Sequence, residues 1–377
     1  MKKKTISICS KKLRIVIVII IVFFLACSEK KNHPLSEYLR NKVIIDLNQP
    51  FKTKPSLSSL TINGSFLQNG DSCYSLIDYQ ISKIYIFNRK KNCFVQEFSI
   101  PKTCYIADVL KVINMDSIFY LNNQSHSLIL CDTARIKKEY KVHNFYKDSN
   151  IIITRINNNL ITWNKKIIFD LLIQNFRVQS NYFTLRQNTP IVGLFKINES
   201  QLEYTAIPVF HPNIEGQNKR MIQNFLFFDL NARENLLIYT THNNPDEIFT
   251  YNLKSAQTSK HHVTNSAHLI VPIIYYLDSL EKKGADAYNV LIHKQSTCAR
   301  FIFNENTNTI FRMLKIREGK SNSKRYLQIL NLKFEVVLEC EIPDQYDDIR
   351  EVDGEILFHR IDLKKRRIIY EKFDCSL

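Results

Sequence analysis

The stretch Lys83-Ile84-Tyr85-Ile86-Phe87 decides the fold class, because it opens a pair of strand-forming runs joined by a polar turn. Ile, Tyr and Phe favour strands, whereas the residues at 88–92 are all Asn, Arg or Lys and favour a turn. A second run with Phe, Val and Ile follows at 93–100. The pattern predicts a β-hairpin.

The same form recurs along the chain with divergent sequence. Further hairpins are predicted at residues 117–131, 236–253, 300–316, 326–342 and 355–373. The hairpins recur roughly every 40–55 residues, and regular four-stranded units of about 40–50 residues are typical of β-propeller blades. We therefore predict an all-β fold, a six- or seven-bladed β-propeller, with a pair of β-sandwiches or a β-helix as the alternatives.

Proline and the weak helical signal refine this prediction. Three Ile-Pro pairs, Ile100-Pro101, Ile207-Pro208 and Ile342-Pro343, suit strand ends because proline cannot donate to a ladder. Only residues 217–224 and 277–287 favour short helices, and neither is long enough to form a helical layer.

The amino-terminal segment has the order of a secretory signal peptide. Residues 1–14 carry six positive and no negative charges, and residues 15–26 have no polar side chain. A run of about 12 apolar residues is too short for an ordinary membrane-spanning helix, which needs roughly 20. We predict a cleaved signal peptide at 1–26, with an uncleaved signal anchor as the alternative.

The end of this segment resembles the lipobox of bacterial lipoproteins. Ala26 precedes Cys27, and Phe24 stands where that motif usually has Leu. The resemblance implies cleavage before Cys27 and acylation of that cysteine, so that the membrane is a partner through the lipid anchor. Two or three acyl chains make such anchoring durable.

The residues after Cys27 indicate to which membrane the lipoprotein would be sorted. Ser28 stands where an inner-membrane retention signal has Asp, and Lys30 and Lys31 replace the acidic cluster of many surface lipoproteins. We expect the periplasmic face of the outer membrane, with the cell surface as the alternative. The predicted organisation is a signal peptide at 1–26, a tether at 27–36 and a β-propeller at 37–377.

The chain resembles a group of uncharacterised β-propeller lipoproteins of Bacteroidota that are classified only by a domain of unknown function. The resemblance rests on the leader, the length and the repeated hairpins with Ile-Pro ends. In broad outline the chain is also similar to TolB-like six-bladed propellers. The resemblance implies the fold and the envelope location. The group has no known catalytic residues, so the resemblance assigns no catalytic role to any residue of this sequence.

Charge and cysteine content restrict the function classes. The chain has a net charge of +16, and without the six leader charges 46 basic residues face 36 acidic ones, which leaves +10. These charges form no dense basic block, so we expect no nucleic-acid partner. Seven cysteines follow Cys27 without any CxxC pair, and we expect buried thiols rather than a disulfide framework.

No motif for catalysis, metal or cofactor binding is present, so we predict no catalytic residue, metal or cofactor. The sequence lacks HExxH, GxSxG and phosphate-binding glycine loops. His261, His262 and His268 form the one local histidine cluster, but their neighbours offer no carboxylate, and exposed turn histidines are expected. The acidic residues Asp344, Asp347 and Asp348 are expected in a solvated loop.

The segment 210–229 combines a polar loop with the aromatic residues Phe225, Phe227 and Phe228. It is expected to be a blade linker that leads into a buried aromatic strand, and the alternative is a loop at one mouth of the propeller.

Two functions remain open. The first is a binding or scaffold module for an envelope protein or glycan. The alternative is a hydrolase or lyase in the propeller channel, for which His242, Asp246 and His262 would have to converge.

Overall fold

The computed structural model describes residues 34–49, 51–99, 109–122, 127–143, 151–154, 161–173, 190, 192–198, 201–209, 219–220, 226–241, 244–270, 275–276, 296–318 and 322–374. The predicted signal peptide, Cys27 and most of the predicted tether lie outside these ranges.

The described residues form short strands and one 3-10 turn at Leu35–Glu37. In chain order the strands are β1 (Leu39–Asp46), β2 (Leu60–Gln68), β3 (Asp71–Asp78), β4 (Lys83–Asn88), β5 (Cys93–Ser99), β6 (Val109–Asn114), β7 (Ser117–Asn122), β8 (Ser127–Cys131), β9 (Ile136–His143), β10 (Ile151–Thr154), β11 (Ile161–Trp163), β12 (Lys166–Ile173), β13 (Val192–Ile197), β14 (Gln201–Ile207), β15 (Lys219–Arg220), β16 (Leu226–Asn231), β17 (Leu236–Thr241), β18 (Asn244–Asn252), β19 (Thr258–His262), β20 (Tyr275–Tyr276), β21 (Thr297–Asn304), β22 (Thr309–Glu318), β23 (Asn322–Leu330), β24 (Val336–Ile342), β25 (Asp348–Val352), β26 (Glu355–Asp362) and β27 (Arg367–Phe373). Within these ranges, no helix is long and apolar enough to span a membrane.

The strands form four-stranded antiparallel sheets in a propeller-like arrangement, so the predicted all-β fold is confirmed. Three sheets are meanders with the strand orders β2-β3-β4-β5, β16-β17-β18-β19 and β21-β22-β23-β24. A further meander, β6-β7-β8-β9, joins the group β10–β14 through a parallel pairing of β9 with β14. Strands β15 and β20 form a small separate pair.

The fourth four-stranded sheet joins the two ends of the described chain. Its order is β25-β26-β27-β1, so the first strand completes the sheet that the last three begin. Strands β1 and β27 pair antiparallel from Leu39 with Phe373 to Asp46 with Arg367.

Apolar side chains fill the spaces between successive sheets. One buried cluster links β2–β5 to β6–β9, others link each group to the next, and a last one links the β25-β26-β27-β1 sheet back to β2–β5. In this last cluster, Ile45 packs with Ile62, Tyr74 and Tyr370. Because each sheet is covered on both faces, its strands carry apolar residues on both sides.

The turns explain much of the asparagine content. Asn69, Asn92, Asn235 and Asn308 have positive φ angles at hairpin turns, a conformation that Asn tolerates better than most residues. At the β25–β26 turn, Gly354 has a φ of +76°, and an added Cβ would lie 2.0 Å from the Asn306 side chain. The β25–β26 turn and the β21–β22 turn, which belong to neighbouring sheets, therefore contact each other.

The predicted hairpins are confirmed by these strand bounds where the structure describes them. Ile207 and Ile342 end β14 and β24, as the Ile-Pro pairs predicted, and Ile100 lies outside the described residues. The helix expected at 217–224 is wrong at Lys219–Arg220, which pairs with Tyr275–Tyr276 as a short strand. The helix expected at 277–287 lies outside the described residues.

The described cysteines are free thiols, as expected. Four of them, Cys73, Cys131, Cys298 and Cys340, are buried among apolar side chains. Burial raises the pKa of the Cys298 and Cys340 thiols to about 12, so both stay protonated at neutral pH.

Candidate functional site

The first strands of neighbouring sheets lie against each other and form one continuous surface. Strand β2 contacts β6, and β21 contacts both β16 and β25. The Arg350 guanidinium reaches from β25 to the Ile62 carbonyl on β2 at 3.4 Å. In a propeller the sheets stand around a central channel. We call the surface formed by β2, β6, β16, β21 and β25 the inner wall.

Two arginines on the inner wall share one carboxylate. Arg300 donates from Nε and Nη2 to the two Asp348 oxygens at 2.6 and 2.8 Å. Arg350 Nη2 lies 3.1 Å from Asp348 Oδ2. Burial alone would raise the pKa of Asp348, but the two arginines outweigh this and hold its pKa below the ordinary value. The group therefore carries two fixed positive charges for one negative charge.

A third cation comes from β6, the inner-wall strand that contacts β2. The Lys111 side chain on β6 lies over Gly64 on β2, with its Nζ 3.3 Å from the place that a Gly64 Cβ would take. Arg350 and Lys111 thus contact residues two positions apart on β2, on either side of the β-bulge between Ile62 and Gly64. We call Arg300, Arg350, Lys111 and Asp348 the basic group.

Carboxylates gather further along the same first strands. Asp229 on β16 accepts hydrogen bonds from the backbone N–H of Leu230 at 2.8 Å and of Phe303 at 2.9 Å. Burial, with smaller contributions from the negative charges of Glu351 and Glu305, raises the pKa of Asp229 to about 7 despite these bonds. This part of the inner wall is acidic, in contrast to the basic group.

The raised pKa of Asp229 predicts a pH-dependent stability. Between its ordinary value of 3.8 and about 7, the folded protein binds the Asp229 proton more strongly than the unfolded chain does. The free energy of unfolding should therefore fall as pH rises through this window, by at most about 1.4 kcal/mol per pH unit. Asp229→Asn should remove this slope, even if it lowers stability throughout.

Urea unfolding of both proteins at about pH 5 and about pH 7.5 measures this difference. An equal slope in the wild type and in Asp229→Asn would contradict the assignment.

The predicted histidine cluster does not lie on the inner wall. His261 and His262 are on β19, the last strand of its sheet. His261 Nε2 lies 3.0 Å from Thr250 Oγ1, and its ring contacts the buried Phe334 ring. His262 is exposed, as expected, but it lies at the end of a strand and not in a turn.

His268 corrects the expectation that no carboxylate lies near this cluster. Its Nδ1 bonds to Glu339 of β24, and its ring stacks on Tyr326 with centroids 3.8 Å apart. Glu339 is 71 positions away in sequence, which is why the local neighbours did not show it. Within the described ranges, no three His, Cys, Asp or Glu side chains are placed to hold a metal ion.

Asp246 has a structural partner instead of a histidine. Its Oδ1 accepts a 2.7 Å bond from Arg312, whose side chain is fully buried, and its Oδ2 accepts the Ile270 N–H. Arg312 also binds Gln328 and the Pro245 carbonyl. The convergence of Asp246 with His262 that the enzyme alternative requires is therefore not found, and His242 lies outside the described residues.

The acidic loop prediction is right for two residues and wrong for the third. Asp344 is fully exposed and Asp347 is 53% exposed. Asp348 begins β25, is only 13% exposed, and pairs with Arg300 and Arg350. Its arginine partner Arg300 lies 48 positions earlier, so sequence proximity did not reveal the pair.

In the segment 210–229, the expected buried aromatic strand is confirmed at Phe227 and Phe228 of β16. Residues 210–218 and 221–225 lie outside the described residues. A separate groove of about 450 Å³ lies by the β26–β27 turn, with the exposed Leu363 in its wall.

Sequence reasoning did not single out Arg300, Arg350, Lys111 or Arg312 as site residues. One signal was available for Arg312, which interrupts an apolar run between Phe311 and Met313. A charged residue at such a position is almost never fully buried unless it is paired.

These features define an all-β protein with a propeller-like arrangement and a charged inner wall. No family model and no curated protein sequence matches the chain. Among solved structures it is similar to a member of the DUF4221 family from Bacteroides vulgatus, with 13% identity and a TM-score of 0.63 over 89% of this chain and 96% of that one. The expected resemblance to uncharacterised Bacteroidota proteins is thus confirmed at the level of fold.

The chain is less similar to BamB from Moraxella catarrhalis, with 6% identity and a TM-score of 0.36 over 90% of this chain and 98% of that one. A likeness of this size carries no argument about function.

Proposed function

We propose that this protein is a lipid-anchored cell-envelope protein whose six-bladed propeller is a binding or scaffold module. Six blades are supported by the five four-stranded groups together with the β10–β14 group. The apolar clusters between successive groups, which return from the last group to the first, support a closed ring.

The anchor part of the proposal rests on sequence. The basic leader and the Ala26-Cys27 pair support acylation of Cys27 and attachment to the periplasmic face of the outer membrane, with the cell surface as the alternative. Cys27→Ser should release the protein from the membrane fraction and abolish its labelling by an alkynyl fatty acid. Unchanged membrane attachment and labelling in this variant would refute the lipid anchor.

The observation that carries the binding function is the fixed charge of the inner wall. Arg300 and Arg350 are held by Asp348 and by backbone carbonyls, while the Arg300 side chain stays 35% exposed. Side chains already fixed in place lose little conformational entropy when a ligand binds, which favours affinity. A partner protein or glycan of the envelope would meet these charges on the inner wall.

Native mass spectrometry of the protein purified from its own host tests the binding function. At low ionic strength we expect a stoichiometric adduct that dissociates as salt is raised, because the inner-wall charges are partly exposed to solvent. Arg350→Met should lose the adduct, whereas substitution of the exposed Lys315 of β22 should keep it. A wild-type protein without any adduct would count against the binding function.

A further inference from the structure

We propose that the basic group of the inner wall binds an anionic oxygen group, a carboxylate or a phosphate, of the ligand. This deepens the proposed function, because it takes the inner wall as the binding surface and assigns the ligand a chemical class. The juxtaposition that carries it is three cations on three strands of the inner wall: two arginines that share one carboxylate, and a lysine that lies over Gly64 on the strand that Arg350 reaches.

The charges do not balance within the group. Asp348 is bound by Arg300 through both of its oxygens and is approached by Arg350 through one of them. Lys111 Nζ has no hydrogen bond or ion pair with any described residue. Arg300 and Arg350 share one carboxylate, so their like charges repel each other, and an anion that binds beside them would weaken this repulsion.

The arginines also keep donors available. A guanidinium carries five N–H groups in a planar fork. Arg300 uses Nε and Nη2 on Asp348 and Nη1 on the Ala299 carbonyl at 3.2 Å. The second N–H of Nη1 and that of Nη2 have no partner within the described residues. Planar forks of this kind match the two oxygens of a carboxylate or phosphate.

Gly64 is the structural reason that Lys111 belongs to the group. A Cβ at residue 64 would lie 3.2 Å from Lys111 Cε, so the lysine stem runs through space that any other residue would partly fill. Gly64 has no positive φ that would require glycine. Its lack of a side chain therefore serves the placement of the lysine ammonium beside the β2 backbone.

Isothermal titration calorimetry of the purified protein at low ionic strength tests the proposal with two probes, inorganic phosphate and glucuronate. We expect one site for at least one probe, with an affinity that falls as salt is raised. Lys111→Met should weaken the affinity by roughly tenfold or more. Lys315→Met, which removes an exposed lysine from β22, is the matched control and should leave the affinity unchanged.

A second variant protects the test against loss of folding. Gly64→Ala retains every charge but shifts the Lys111 stem by a few tenths of an ångström, so it should weaken binding less than Lys111→Met does while thermal unfolding remains cooperative. Binding of phosphate alone assigns a phosphoryl group, and binding of glucuronate alone assigns an acidic sugar.

The anion site would be overturned if neither probe binds, or if Lys111→Met and Lys315→Met weaken the affinity equally. If both probes are silent while the native mass spectrum still shows a stoichiometric adduct, the binding function stands and only its anionic chemistry falls.

Discussion

Replacing Ile45 with alanine is expected to lower the free energy of unfolding by about 2–5 kcal/mol. Ile45 is fully buried, lies on β1, and pairs with the equally buried Ile368 of β27. It also packs against β2 and β3 of the next sheet. The substitution therefore weakens both the pairing of the chain ends and the contact across which the ring closes.

Ile44→Ala is the matched control, because the same residue type at the neighbouring position is only half-buried. Its expected cost is roughly 1 kcal/mol. Urea unfolding of the two variants gives the comparison. Equal losses in both would show that burial of β1 against the next sheet does not stabilise the ring.

The second large effect is expected for Asp246→Ala, at about 3–5 kcal/mol. This change leaves the fully buried Arg312 guanidinium without its carboxylate, and also removes the acceptor of the Ile270 N–H. The Asp246–Arg312 pair joins the sheets β16–β19 and β21–β24, so the substitution destabilises the contact between these two sheets.

Glu247→Ala, one position along the same strand, supplies the control. Glu247 pairs with the half-exposed Lys260 at 2.7 Å, and a pair of this kind contributes at most about 1 kcal/mol. The double variant Asp246→Ala with Arg312→Met should be more stable than Asp246→Ala alone, because it removes the unpaired charge. A double variant that is less stable than the single one would contradict a buried unpaired charge as the cause.

Local patterns were sufficient for the hairpins. Residues 83–99 form β4 and β5 with the turn where the polar residues predicted it, because a hairpin is decided by a few neighbouring side chains. The same holds for residues 355–373, which form β26 and β27. Asparagines at positive φ fit the turn signals that divided these runs.

The site could not be predicted in the same way, because its contacts join distant parts of the chain. Arg300 and Asp348 are 48 positions apart, Asp246 and Arg312 are 66 apart, and His268 and Glu339 are 71 apart. Such pairs depend on which sheets are neighbours and on the register of each strand. The pairing of β1 with β27 is of the same kind, since no local signal connects the two ends of the chain.

The most direct test of the inner wall as the binding surface is photocrosslinking in intact cells from two positions. A photoreactive residue at Asp347, which is 53% exposed and directly precedes Asp348 of β25, lies at the end of the inner wall that holds the basic group. The same residue at Val337, exposed on the outermost strand β24, is the control. The binding module predicts a discrete adduct from position 347 and none from Val337. Adducts from Val337 alone, or none from either position, would contradict it.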